Sequence, residues 1–346
     1  MYALRSSPPY HSELRNVDVI VFQLSEFGSK YWNSCYHNPV SFLHSSPHDR
    51  FATGLVVAND EVHVLGEGPV WDPIRHTVLW VDIRRGFVFE GRLADDGTVA
   101  ITNRTDFSET VGAVAVSEDG SWLVAGARAL KVREVGGTLD TYCTLLKPDG
   151  SRRLNDGKPD PVGRYLVGSL SLDEPSESEE LFQVGISGRV RVIDNDLTLS
   201  NGLAWSCDGT LLYSIDTERK TIYRRSYDSA TGATGTRETF ITCTGEGYPD
   251  GMTLDSDGHL WVAMWGAGTI NRYSPQGDLV SSILVPSPHT SSVAFVGDDL
   301  DTLLITTATQ ELTDDQRAEY PLAGKLFTIK PGVTGHPQPL WAGEQV

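Results

Sequence analysis

The chain has 346 residues, with 46 acidic against 28 basic side chains, a formal net charge of −18, 39% hydrophobic and 21% charged residues. That balance is ordinary for a globular protein, but it excludes a nucleic-acid binder, which needs a basic face, and disfavours an anionic membrane surface. No apolar run approaches the ~20 residues that span a bilayer.

The first residues, MYALRSSPPYHSELR, do not read as a secretory signal, because Pro8, Pro9 and His11 stand where its apolar segment belongs. Residues 1–52 read as an irregular or partly disordered N-terminal extension, with Val17–Leu24 as an alternative docking strand. The four cysteines (Cys35, Cys143, Cys207, Cys243) show no CxxC or zinc spacing. They read as reduced structural thiols of a cytoplasmic protein, Cys207 and Cys243 as small core fillers.

From residue 53 a repeat takes over. Strands of the type Leu-Trp-Val begin at Leu79, Trp122, Tyr165, Leu212, Leu260 and Leu304, with spacings of 43, 43, 47, 48 and 44 residues. Each follows a turn rich in Asp, Gly or Pro, such as SEDGS, SCDGT or DSDGH. Further strand-like runs, GFVFEGRL or TIYRRSY, make about four short strands per unit, and helical periodicity is scarcely visible. Six such units over 53–346 predict an all-β, six-bladed β-propeller. Its last blade, Lys325 to Trp341, is closed by a strand between Leu55 and Val64. The insertion DEPSESEE, Asp173 to Glu180, reads as a charged loop whose later carboxylates are solvated.

Repetition makes positions comparable between blades. Four units carry an acid or amide before glycine ahead of the Leu-Trp-Val strand: Glu67-Gly68, Asp156-Gly157, Asn201-Gly202 and Asp250-Gly251, at 12, 9, 11 and 10 residues. In a propeller these positions start the innermost strands, so they converge on the central channel, and glycine permits close approach there. Glu67, Asn201 and Asp250 form an all-oxygen set suited to a hard divalent cation, Ca2+, Mg2+ or Mn2+. Arg153 and Asn155 have the donors to bind a polyol or an oxyanion. Asp82 and Asp216, after their Leu-Trp-Val strands, read as caps or inter-blade hydrogen-bonders. His289 reads as a loop hydrogen-bonder rather than a base, and the tryptophans as blade packing. No GxSxG elbow is present.

GEGPVWD at 66–72, RLNDGKPDPVGRYLVGSL at 153–170, SNGLAWS at 200–206 and YPDGMTLDSDGHLWVA at 248–263 together resemble the senescence-marker-protein/gluconolactonase/regucalcin family, in the same order and spacing. The resemblance covers Leu55 to the C-terminus and implies a six-bladed propeller with one divalent metal ion in its channel. Ca2+ is the first choice, with Mg2+, Mn2+, Zn2+ or Fe2+ as other occupants. It implies metal-dependent opening of sugar lactones (aldonolactones) to aldonic acids, with calcium-binding roles in some members. Glu67, Asn201 and Asp250 match the metal ligands, and Arg153 and Asn155 the substrate-binding pair. Asp173 falls where regucalcin-type members carry a glutamate that contacts the sugar. MWGAG, from Met264 to Gly268, replaces a more polar stretch and reshapes the pocket wall. In the mechanism expected, the metal polarises the carbonyl, Arg153 assists the developing oxyanion and Asp250 is the general base. The alternatives are a related esterase or phosphotriesterase on the same scaffold and a non-catalytic calcium-binding propeller. The expected assembly is a monomer or homodimer with a small lactone as its partner.

Overall fold

The central strand of each repeat carries an apolar stretch, and its burial explains why. In the computed structural model, which describes residues 52–148, 150–173 and 176–343, these strands are Thr77–Asp82, Trp122–Ala125, Tyr165–Ser171, Leu211–Asp216, Leu260–Trp265 and Thr302–Thr307. Thr77–Asp82, Trp122–Ala125 and Thr302–Thr307 are buried at every position. A strand covered by neighbours on both faces reads as a continuous hydrophobic run. The outermost strands, Val99–Asp106 and Leu279–Leu284, are mostly exposed and correspondingly polar or mixed.

Each central strand pairs antiparallel with the innermost strand of its blade on one side and with the next strand outward on the other, giving six sheets of at least four strands. These are the six blades, numbered 1 to 6 in chain order. Their innermost strands are Gly66–Asp72, Ala113–Val116, Arg152–Pro159, Ser200–Trp205, Tyr248–Leu254 and Thr290–Val296. Neighbouring innermost strands contact one another around the ring. Blade 6 contributes three consecutive strands, and Val56–Val57 completes it by pairing with Thr328 and Phe327. The closing strand lies where the sequence puts it. Residues 1–51 fall outside the described residues, and with them the extension, the Val17–Leu24 strand and Cys35. The one helix among the described residues, Asp314–Glu319, is closed at its start by a Thr313–Gln316 capping box. No helix of the described residues is long and apolar enough to cross a membrane.

Polar side chains pin the blades together. Asp82 accepts the amides of Val64 and Leu65, at 2.9 and 3.2 Å, in the segment leading into blade 1. Asp216 does the same for Thr198 and Leu199 ahead of blade 4 and takes Arg219 at 2.9 Å. Both match the expected capping role. His63 is fully buried, accepts from Trp80 Nε1 at 2.8 Å through Nε2 and donates from Nδ1 to the Gly324 carbonyl at 2.8 Å. Two expectations are corrected. Glu179 is not solvated: it is buried, begins the strand Glu179–Val184 and takes Arg152 Nε at 2.9 Å and Ser169 Oγ at 2.7 Å. Cys207 is not a core filler but is exposed in the Ser206–Gly209 turn, whereas Cys243 is buried. Neither they nor Cys143 is in a disulfide.

The C-terminal segment crosses the end of the propeller at which the innermost strands finish. The Gly335 amide donates to Leu300 and His336 to Leu254, then Trp341 to Val116 and Ala342 to Gly163. The strap thus reaches from blades 6 and 5 to blades 2 and 3, anchored by the buried Trp341 edge-on to Tyr142.

Trp80 is fully buried and stacked on Phe89 at 5.3 Å between ring centroids. Trp80→Ala is expected to lower unfolding free energy in urea by about 3–5 kcal/mol. Trp80→Phe keeps the stack but leaves His63 Nε2 without its donor, for an expected loss of about 1–3 kcal/mol. Equal losses for the two variants would show that the His63 hydrogen bond, not packing, dominates.

Candidate functional site at the channel axis

Five of the six innermost strands are irregular at one place. The pairing register shifts between Glu67 and Val70, Leu154 and Gly157, Asn201 and Leu203, Pro249 and Met252, and Thr290 and Ser292. Each shift is a β-bulge, which re-aims the side chains at and beside it. Those side chains are Glu67, Asn155 and Asp156, Asn201, Asp250 and Ser291, so the bulges gather the polar groups that the repeat singled out. Blade 2 has no such residue, and its strand Ala113–Val116 pairs without a shift.

Glycines beside the bulges let neighbouring strands approach. A Cβ on Gly202 would lie 2.5 Å from the Asp250 carbonyl, and one on Gly112 would lie 2.6 Å from the Asn155 carbonyl. No larger residue fits either position without moving backbone. At Gly68 the requirement is conformational: φ is +49°, and its amide turns back to Glu67 Oε2 at 3.0 Å.

A chain of hydrogen bonds runs across three blades. Arg153 Nη1 donates to Asn155 Oδ1 at 2.8 Å; Asn155 Nδ2 donates to Asn201 Oδ1 at 3.0 Å; Asn201 Nδ2 donates to Thr217 Oγ1 at 3.0 Å. Thr217 donates in turn to the Pro249 carbonyl, next to Asp250, at 2.8 Å. A guanidinium only donates and a carbonyl only accepts, so the two ends fix the direction of every bond between them. The Asn155 and Asn201 amides therefore have one orientation each. All four side chains are buried.

The charges do not balance. Glu67 is pushed well above the usual carboxylate range by burial, then by Asp250 and Asp156. Asp250 is raised by burial and by Asp156, against the opposing pull of Arg153 and its hydrogen bond with Asn201. Burial raises Asp156 to about 6, lowers Lys158 to about 8 and lowers Arg153 to about 10. Three carboxyl groups thus face two cations in a low-dielectric interior, where uncompensated charge is costly. The donors are oxygens, the surplus is negative, and one partner is an amide oxygen of fixed direction. Glu67, Asn201 and Asp250 fit a hard divalent cation on these grounds. Arg153 Nε is buried without a protein acceptor, a donor left over for an incoming group. Below these groups, Gly68, Asp156, Lys158, Gln338 and Pro339 help line a cavity of about 30 Å³, which the strap closes from beneath.

The structure thus brings Glu67, Arg153, Asn155, Asn201 and Asp250 to the same end of the innermost strands. Asp173 is exposed, two residues beyond Ser171, the register partner of Arg152, and its amide donates to Ser171 Oγ at 3.2 Å. His289 stacks on Trp265 with centroids 4.1 Å apart and planes within 8°, and burial lowers its pKa. Thr217 was not singled out by its sequence; the only signal was a polar residue closing the central strand of blade 4. Asp255, Asp257 and His259 also lie together, with possible ligand atoms within 4.8 Å of one another. They occupy the turn after Tyr248–Leu254, at the opposite end of that strand from Asp250. There Asp255 already takes Arg272 Nη2 at 2.6 Å and Trp261 Nε1 at 3.0 Å.

Residues 65–309 match the family described as the SMP-30/Gluconolactonase/LRE-like region. The chain is 34% identical to a pentonolactonase of Haloferax volcanii over 79% of its own length and 93% of the relative's. It is 34% identical to a 6-deoxy-6-sulfogluconolactonase of Pseudomonas putida over 81% and 96% of the two chains. The crystal structure of a calcium-binding protein, regucalcin, from Agrobacterium tumefaciens superposes with a TM-score of 0.79 at 31% identity, covering 84% of this chain and 97% of that one. With its six blades and its matched residues, the chain belongs to the SMP-30/gluconolactonase/LRE-like family.

Proposed function

We propose that the chain is a metal-dependent hydrolase that opens sugar lactones, aldonolactones above all, to the corresponding aldonic acids. The observation that carries this reading is the buried surplus of carboxylate oxygen beside Arg153, whose Nε–H has no protein partner. The pentonolactonase and the sulfogluconolactonase among the relatives support the substrate class, and the calcium-binding neighbour supports the ion.

Hydrolysis adds water to the lactone carbonyl carbon and breaks the ring C–O bond, leaving a carboxylate and a freed hydroxyl. Glu67, Asn201 and Asp250 would hold a divalent cation, Ca2+ before Mg2+, Mn2+, Zn2+ or Fe2+, which would supply Lewis-acid polarisation of the carbonyl. Asp250 takes the proton of the attacking water as general base and returns it to the ring oxygen as that bond breaks. Arg153 faces the negative charge that develops on the former carbonyl oxygen. Asn155 holds the guanidinium in place through Oδ1. Asp173, at the same end of blade 3, takes the hydroxyl groups of the sugar.

Wild-type protein is expected to release acid from aldonolactones, to stop with chelator and to recover with Ca2+. With metal in excess, Asp250→Ala is expected to lose about 10²–10⁴-fold in kcat; near-normal turnover would remove Asp250 from the mechanism. Turnover of aryl esters or phosphotriesters without lactone opening would point to the esterase alternative. Metal uptake with no turnover at all would point to a calcium-binding propeller.

The raised carboxylates also set a pH dependence in the metal-free protein. A carboxyl group whose folded pKa lies above its unfolded value, ~4, contributes stability that is complete below that value and is lost as pH rises through the folded pKa. Glu67→Gln removes one such group. The metal-free variant is expected to melt above wild type at pH 8, with the gap closing toward pH 4. Each pH unit of displacement is worth about 1.4 kcal/mol. A gap that does not change with pH would mean that Glu67 titrates as an exposed glutamate.

A further inference from the structure

Resting on that reading, we propose that Thr217 is a positioning residue for the cation site: its hydroxyl sets which atom of the Asn201 amide faces the channel axis and ties that amide to the strand carrying Asp250. Thr217 touches neither the substrate nor the proposed ion. It lies at the end of the central strand of blade 4 and is buried. Its backbone is fixed by its amide, which donates to the Leu199 carbonyl at 3.1 Å, just ahead of Ser200 and Asn201. The preceding residue, Asp216, holds the amides of Thr198 and Leu199.

The direction of the hydrogen bonds carries the argument. Thr217 spends its single proton on the Pro249 carbonyl at 2.8 Å, so toward Asn201 it can only accept. The atom of Asn201 that meets it at 3.0 Å must be Nδ2, which leaves Oδ1 for the axis, where Asn155 Nδ2 reaches it. Without that acceptor Nδ2 loses its buried partner, and the amide is held only by Asn155 at Oδ1 and by the Asp250 carboxylate. An amide less firmly held would present its oxygen to a cation for less of the time. Because the same hydroxyl also binds the carbonyl beside Asp250, one side chain sets the spacing between two proposed ligands from different blades. Hydrogen-bonding partners one step behind metal ligands typically change affinity by about 10–100-fold when removed.

The test is Ca2+ titration of chelator-stripped protein by calorimetry, with wild type, Thr217→Val and Thr217→Ser. Valine keeps the shape and lacks the hydroxyl; serine keeps the hydroxyl and lacks the methyl. The expected result is a dissociation constant weakened about 10–100-fold in Thr217→Val and within about threefold of wild type in Thr217→Ser. Thermal melts of the metal-free proteins check that both variants fold; if Thr217→Val does not, Thr217→Ser alone decides, because a loss as large as tenfold there overturns the proposal. Equal affinity of Thr217→Val and wild type overturns it, as does equal weakening of both variants, which would show that any change of packing at this position disturbs the site and that the hydroxyl has no special part. Failure of wild type itself to bind Ca2+, Mg2+ or Mn2+ would overturn the cation site and this role with it. Normal wild-type binding with unaffected variants would sink the role of Thr217 alone.

Discussion

In a regular antiparallel blade, side chains alternate between the two faces, and both faces are covered by the neighbouring blades. Nothing in that geometry sends a functional group along the axis. The bulge near the start of five innermost strands breaks the alternation at one level of the ring, and the chemistry of the molecule depends on it. Where the bulge is missing, in blade 2, the equivalent position is Gly112, and the blade contributes packing instead. The glycines at this level, Gly202 in a bulged blade and Gly112 in the unbulged one, follow from the convergence of the strands. Strands that converge on a narrow axis meet backbone to backbone, and a Cβ at Gly202 or Gly112 would strike a carbonyl of the next blade.

Within this ring, polarity and charge are organised by two different devices. Charge is left unbalanced, with Glu67, Asp156 and Asp250 against Arg153 and Lys158, unlike a self-sufficient salt bridge. Polarity, by contrast, is over-determined. The row from Arg153 through Asn155, Asn201 and Thr217 to the Pro249 carbonyl has a donor-only group at one end and an acceptor-only group at the other. The surplus is one of charge alone; the row sets the orientation of the neutral groups beside it. Elsewhere the propeller satisfies its acids directly, as with Asp255 and Arg272 or Glu179 and Arg152.

Much of this was legible in the sequence because repetition converts a weak local signal into a strong one. A single Asp-Gly is a turn residue in most settings; four acid- or amide-glycine pairs at matching distances from Leu-Trp-Val strands mark a shared position. The central strands were legible because burial on both faces gives each an apolar stretch, such as VLWV in Thr77–Asp82 or LLI in Thr302–Thr307. What escaped was whatever depends on partners from distant segments. Glu179 looks like one more carboxylate of an acidic loop until Arg152 and Ser169 are brought beside it. Cys207 looks like core because cysteine usually is, yet it occupies a turn tip. Thr217 is one of many threonines, and only the direction of two hydrogen bonds distinguishes it. The turn Asp255–His259 shows its cluster only once the turn is folded.

The closure of blade 6 also bears on how the molecule is made. Blades 1 to 5 are built from strands adjacent in the chain, so each can zip up locally soon after its residues become available. Blade 6 cannot: Val56 and Val57 wait for Phe327 and Thr328, about 270 residues later. During synthesis the start of the propeller therefore emerges early and stays unpaired until nearly the whole chain has been made. Over that interval the waiting edge is open to mispairing with other chains, and the final step is a single long-range docking event.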